Sequence, residues 1–171
     1  MEVKKGDILF YSEIGPIANI IKKQTTGPFN HVEIVIADNV ALEIRPRNIG
    51  LIDLTFKEQD LKLGEYILVK RPKWNNMEKG IYRALQILRD TKGYSLGNIE
   101  AWWSGIERLR RIKDNRFESD EWVICSEVVG DSLLAGGMKC KVDYDTSLQS
   151  PNDIFYNFEY YKGSIKIEGE E

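Results

Sequence analysis

The sequence has a single histidine, His31, and only two cysteines, Cys125 and Cys140, in 171 residues. These scarcities exclude chemistry. One imidazole and two thiols without CxxC spacing make neither a recognisable zinc-ligand set nor a disulfide framework. No Gly-rich phosphate loop of the Walker type is present, so no metal and no cofactor is expected. No apolar run approaches the ~20 residues of a membrane helix. The start, Met1-Glu2-Val3-Lys4-Lys5-Gly6, passes into a strand-like segment without the apolar stretch of a signal peptide. The expectation is a cytoplasmic chain with no stable membrane insertion. A net charge of −3 gives no electrostatic footprint for nucleic acid.

What is present describes an ordinary globular chain, with 42% apolar and 30% charged residues. Its length fits one domain spanning 1–171, a size that buries roughly 68–70% of the surface of the unfolded chain. No repeat, low-complexity tract or linker divides it, and nothing specifies an oligomeric state. The first half reads as antiparallel sheet. Gly6-Asp7-Ile8-Leu9-Phe10-Tyr11 enters a strand from a tight turn, and Pro16 pre-sets a short helix with Ile17, Ile20 and Ile21 on one face, ending near Thr25-Thr26-Gly27-Pro28. A hairpin from His31 to Ile44 follows, then strands at Gly50–Leu54 and Tyr66–Lys70.

The middle changes period. Met77, Ile81, Ala84, Leu85 and Leu88 share a helical face with Gly93 as its stop. A second helix would turn Ile99, Trp102, Trp103, Ile106 and Leu109 inward and crowd Arg108, Arg110, Arg111 and Lys113 at its end, where carbonyl dipoles favour cations. Asn115–Glu121 reads as loop. Trp122-Val123-Ile124-Cys125-Ser126-Glu127-Val128-Val129 opens a third helix ending near Gly136-Gly137. Met138–Val142 reads as a strand, Ser150-Pro151-Asn152-Asp153 as a turn or helix start, and Ser164–Ile167 as a last strand.

Cys125 at a helix start faces unpaired N–H groups and the positive end of the dipole, which favour a thiolate; the alternative is a buried structural thiol. With one imidazole in the chain, any Cys-His chemistry must use His31, and Glu43 in the same hairpin is a group to orient it. Parity decides whether Glu43 meets His31. A plain two-residue Asp38-Asn39 turn would pair Ile34 with Glu43 and put the carboxylate on the opposite face, so an odd loop or a bulge is predicted, with Asn39 left-handed in the odd loop. Glu33 shares the His31 face and reads as a solvent-exposed residue, with a rim carboxylate as the alternative. Cys140 reads as structural. Arg45 and Arg47 read as solvated, with a grip on a substrate carboxylate as the sharper alternative.

Gly6-Asp7-Ile8-Leu9, His31-Val32-Glu33-Ile34-Val35, Leu42-Glu43, Ile124-Cys125-Ser126-Glu127-Val128 and Ser150-Pro151-Asn152-Asp153, in this order, resemble the circularly permuted branch of the papain-like NlpC/P60 superfamily, often called YaeF/YiiX-like amidases. In that branch the histidine strand precedes the cysteine helix, as here. The resemblance implies an α+β permuted papain-like fold, an antiparallel sheet or partly open barrel packed against helices. It also implies a cysteine amidase or peptidase acting on a small peptide or N-acyl amide through Cys125, His31 and Glu43. Tyr94 matches the family's tyrosine of a Tyr-Asp pair before the cysteine helix, though Ser95 replaces the acid. The Cys125 N–H and a second donor, Tyr11 or Tyr94, would meet the oxyanion. The alternatives are a lipid-directed acyl hydrolase or acyltransferase, resembling lecithin:retinol acyltransferase, and a non-catalytic binding module on the same fold.

Overall fold

The computed structural model describes residues 2–57, 60–94, 122–142 and 149–169. The expected helix carrying Trp102 and Trp103, with its terminal arginines and the Asn115–Glu121 loop, lies outside the described residues. The elements are β1 (Ile8–Ser12), α1 (Pro16–Gln24), β2 (His31–Ala37), β3 (Val40–Arg45), β4 (Asn48–Asp53), α2 (Leu54–Lys57), β5 (Tyr66–Lys70), α3 (Met77–Asp90), β6 (Gly93–Tyr94), β7 (Trp122–Val123), α4 (Cys125–Ala135), α5 (Pro151–Asn157) and β8 (Ile165–Glu168). The class is α+β. Six strands form an antiparallel sheet in the order β4-β3-β2-β1-β5-β8, and β6 pairs with β7 in parallel.

Alternation along the strands divides the apolar residues between two faces. Ile8, Phe10, Val32, Ile34, Leu42 and Ile44 pack under Ile81, Ala84 and Ile87 of α3, Val128, Val129 and Leu133 of α4, and Ile154 of α5. Leu9, Tyr11, Val35, Ala41, Ile67 and Val69 make a smaller cluster on the other side with Leu54. The central strands β1 and β2 are therefore buried on both faces, and β2 is the strand that begins with His31.

Local chemistry accounts for the helix limits. In α1, Pro16 stands at the first turn, yet Ala18 and Ile21 are the buried residues and Ile17 is exposed, so the inward face is rotated from the one expected. Asn76 caps α3 by accepting from the Lys79 N–H at 3.0 Å, and the helix ends before Gly93, with Thr91 as C-cap. In α5, Ser150 and Asp153 form a reciprocal capping box and Pro151 sits in the first turn. Two boundaries differ from the sequence reading. The segment Trp122–Val123 is a short strand, because it pairs with Gly93–Tyr94, and the helix starts only at Cys125. Met138–Val142 is irregular rather than a strand: its amide at Lys141 is taken by the Asn157 carbonyl of the α5 end instead of a strand neighbour.

The β2–β3 hairpin has a two-residue turn at Asp38-Asn39, with Asn39 left-handed at φ 58°. A bulge at Ile36 then shifts the register, giving Ala37↔Val40 but Val35↔Ala41 and Ile34↔Leu42. That single extra residue reverses the parity, so Glu43 joins Glu33 and His31 on one face. Because Ile34 is fully buried between β1 and β3 under the helices, Ile34→Ala should destabilise the fold by about 2–5 kcal/mol through lost burial and a residual cavity. Urea unfolding of the variant checks this, with a lowered midpoint expected.

Candidate active site

The site is built on the His31 end of β2, where β1 delivers Tyr11 directly across from His31. His31 is 4% exposed and Glu33, two residues on, is 0% exposed. Glu33 uses both oxygens: Oε1 lies 2.9 Å from His31 Nε2, and Oε2 accepts from the Tyr11 hydroxyl at 2.6 Å. The Tyr11 and His31 rings stand 5.3 Å apart. Glu33 is therefore neither solvent-exposed nor at a rim, as alternation along an isolated strand suggested. The second face of this sheet is itself buried, and Tyr11, His31 and Arg45 satisfy the carboxylate there.

Arg45, at the end of β3, is the cation of the cluster. It donates to Glu13 from both terminal nitrogens, at 3.1 and 2.7 Å, and from Nε to Glu43 Oε1 at 2.8 Å; its Nη2 is 3.9 Å from Glu33 Oε1. Its guanidinium also lies 5.5 Å from the Tyr11 ring centroid. Burial opposes charge on both Arg45 and Glu13, but their mutual hydrogen bonds win: Glu13 is held below the ordinary carboxylate range and Arg45 above its own usual value. Arg45 is thus engaged within the protein, whereas Arg47 is exposed.

Glu43 is 5% exposed and shares the His31 face, but its hydrogen bonds run to Arg45 and to Asn48 Nδ2. Glu33 is hydrogen-bonded to the imidazole. The donor atoms of His31, Glu33 and Glu43 all lie within 4.8 Å of one another, a spacing that suits a divalent cation. Arg45 already supplies a fixed positive charge against the two carboxylates.

Cys125 approaches from the helix side as the first residue of α4 and is 4% exposed. Val35 N–H donates to Asp7 of the β1 side, so by alternation the Val32 amide points toward β3. The Val32 and Ser126 amides both act on the Cys125 thiol, each favouring its ionised form. Its thiol is not depressed by the helix start. Burial pushes it up to about 11, against the smaller lowering effects of the Val32 amide, Arg45 and the Ser126 amide.

The two tyrosines are distinguished. Burial and then the Glu33 charge and hydrogen bond raise Tyr11, which is committed to that carboxylate. Tyr94 pairs with Val123 across β6 and β7, which brings it beside the start of α4; burial raises it, with Cys125 next in effect. The Tyr94 hydroxyl makes no hydrogen bond among the described residues. Cys140 is half-buried in the irregular segment after α4, with Gln149 Nε2 at 3.7 Å from its sulfur.

The residue that sequence reasoning misplaced is Glu33. Its spacing from His31 was visible, but the burial of the face was not, since it depends on the Tyr11, Glu13 and Arg45 side chains that other segments lay over it. No protein-family model matches the chain, and no curated protein matches it.

The raised Cys125 thiol has a consequence for stability. An unfolded chain ionises its thiol near ~8.5 while the folded chain keeps it neutral up to about 11, so this residue costs no stability below the unfolded value and destabilises the fold as pH rises above it. Between about pH 8.5 and pH 10 the native protein should lose on the order of 1–2 kcal/mol that Cys125→Ala retains. Urea midpoints measured for both proteins across that range check the sign; parallel curves would show that the fold does not hold the thiol neutral.

Proposed function

We propose that this chain is a cysteine hydrolase of the permuted papain-like type, cleaving the amide bond of a small peptide or N-acyl amide through Cys125, His31 and a carboxylate. The observation that carries the reading is the hydrogen-bonded imidazole at the start of β2, where Glu33 lies 2.9 Å from His31 Nε2 and the next amide, Val32 N–H, acts on the Cys125 thiol from the start of α4. His31 and Val32 are consecutive in β2, so the imidazole lies with Tyr11 on one face of the strand end and Cys125 packs with Val32 on the other.

The chemistry follows from that arrangement. Glu33 accepts the Nε2 proton and selects the tautomer whose Nδ1 is the base. The thiol is neutral at rest, so proton transfer accompanies attack: the Cys125 proton passes to Nδ1 as sulfur bonds to the carbonyl carbon. The C–N bond then breaks as the imidazolium returns the proton to the leaving amine. Water attacks the thioester, giving its proton to His31, and the acid departs as the sulfur takes the proton back. Tyr94, rather than Tyr11, donates to the oxyanion with the Cys125 N–H, because the Tyr11 hydroxyl is occupied by Glu33. Glu33 takes the orienting role that the resemblance assigns to Glu43, and Glu43 fixes Arg45 behind it.

The test is acylation. Murein-type peptides and N-acyl amino acids, incubated with the protein and read by intact mass, should give an adduct on Cys125 for at least one member. Cys125→Ala and His31→Ala should each abolish it. Glu33→Gln should slow its formation by about 10²-fold, within the range for general-base assistance, and more than Glu43→Gln does. No adduct with any member, together with iodoacetamide labelling of Cys125 at equal rates in the wild type and His31→Ala, would overturn the reading in favour of a binding module. Adducts formed only from acyl esters of lipids would move it to the acyl hydrolase alternative.

A further inference from the structure

The segment Gln149–Asp153 is used by none of the chemistry above, yet it is hydrogen-bonded to the chain on both sides of it. Next to the nucleophile, Ser126 Oγ donates to the Gln149 carbonyl at 2.5 Å, and Ser126 is fully buried. Near the base, Asn152, 1% exposed, grips Phe29 as a strand neighbour would: its Oδ1 accepts from Phe29 N–H at 3.0 Å and its Nδ2 donates to the Phe29 carbonyl at 2.8 Å. The same Nδ2 donates to Thr25 Oγ1 at 2.6 Å. Phe29 stands two residues before His31.

The other residue of that short lead-in is fixed from the opposite side. Asn30 N–H donates to the Tyr11 carbonyl, and the Asn30 side chain holds the Glu13 amide and carboxylate, each at 2.7 Å. Among the described residues, the hydrogen bonds that join the lead-in to the segment that also holds Ser126 are those of Asn152. Gly27 makes room for this: a Cβ there would lie 2.3 Å from Asn152 Oδ1. The Phe29 ring is seated with the same helix, 4.9 Å from Phe155 of α5. The capping box at Ser150 and Asp153 in turn fixes the turn of helix from which Asn152 projects.

From these contacts we propose that Asn152 is a positioning residue that sets His31 against Cys125, the Gln149–Asp153 segment acting as a clamp between the lead-in to β2 and the start of α4. The proposal rests on the cysteine-hydrolase reading. Asn152 touches no reacting atom, and it acts through the Phe29 backbone. Removing its amide frees the lead-in on the helix side, and an imidazole displaced by about 1 Å loses on the order of 10² in rate.

The test uses two readouts that packing alone does not move. His31 is the sole histidine, so its ring proton resonances report one titration without assignment. Iodoacetamide labelling of Cys125 against pH reports the coupling of base to thiol. Asn152→Ala, and Asn152→Asp, which keeps the acceptor but sets a carboxylate oxygen against the Phe29 carbonyl, should lower the His31-dependent part of the labelling rate about 10²-fold, toward the His31→Ala level. Both should also displace the His31 titration. Ile167→Ala, in the distant β8 and outside this machinery, serves as the control for a lowered melting temperature and should leave both readouts as in the wild type. Asn152 variants that melt earlier but keep the wild-type labelling profile and His31 titration would overturn the proposal. If Asn152→Ala does not fold, Asn152→Asp decides. If wild-type labelling shows no dependence on His31, the hydrolase reading fails separately, and an unmoved His31 titration in Asn152→Asp then removes the positioning role as well.

Discussion

A carboxylate with no exposed surface, Glu33, sets the terms for one whole face of the sheet. An ionised group in that position without partners carries a penalty of several kcal/mol. The neighbours are arranged to remove it. Tyr11 arrives directly opposite His31 because β1 and β2 are in register there, and its hydroxyl takes one oxygen while the imidazole takes the other. Arg45 adds a positive charge 3.9 Å away, and is itself held by Glu13 and Glu43. Buried ion clusters of this kind are weak sources of stability, since apolar residues of similar volume often serve the fold as well or better. A cluster that orients an imidazole meets a demand other than stability, which is why it supports a catalytic reading more than a structural one.

The sequence shows the fold unevenly, for physical reasons. Strands β1, β2, β3 and β5, helix α3 and the start of α5 follow from local patterns, as alternation, helical spacing, an Asn cap and a Ser-Pro pair act within a few residues. The parity of the Glu43 hairpin was also accessible, as a condition rather than an observation: the carboxylate reaches the His31 face only with an extra residue, and the Ile36 bulge supplies it. The failures are all non-local. Trp122–Val123 pairs with Gly93–Tyr94 far back in the chain, and Met138–Val142 loses its strand because Asn157 takes its amide. Ile17 and Ala18 exchange roles because the face of α1 is chosen by what lies beneath it. Glu33 looked exposed because alternation says which face a residue occupies, not whether that face is covered.

Cys125 shows how magnitude decides between two correct arguments. A helix start does favour a thiolate, by about 0.3–1 kcal/mol and up to ~2 in partly buried settings. A thiol pushed from ~8.5 up to about 11 is displaced by on the order of 3 kcal/mol in the other direction. Burial wins. The Val32 and Ser126 amides and Arg45 reduce the cost without reversing it. The proposed hydrolase would therefore start from a neutral thiol within the core and rely on the imidazole at the moment of attack, which places more weight on the geometry between the two.

That geometry is assembled from segments far apart in the chain. Closing loops of this length before any contact repays the entropy is slow, and the sheet end at β2 can form without it. The last joint is α5, a seven-residue helix too short to stand alone and seated by its Asn152 grip on Phe29 and by the Phe10, Phe29 and Phe155 rings, whose centroids lie 4.9–5.2 Å apart. A short element held by tertiary contacts rather than by its own length opens as a unit when those contacts are lost. Opening of α5 would release the lead-in to His31 and the Ser126 anchor together, since both attach to the same segment. The start of α4 would then loosen while His31, Glu33, Tyr11 and Arg45 kept their register, because those four belong to the sheet. The ionic cluster and the thiol are thus separable parts of one site, the first set by strand register and the second by how firmly a single turn of helix is seated.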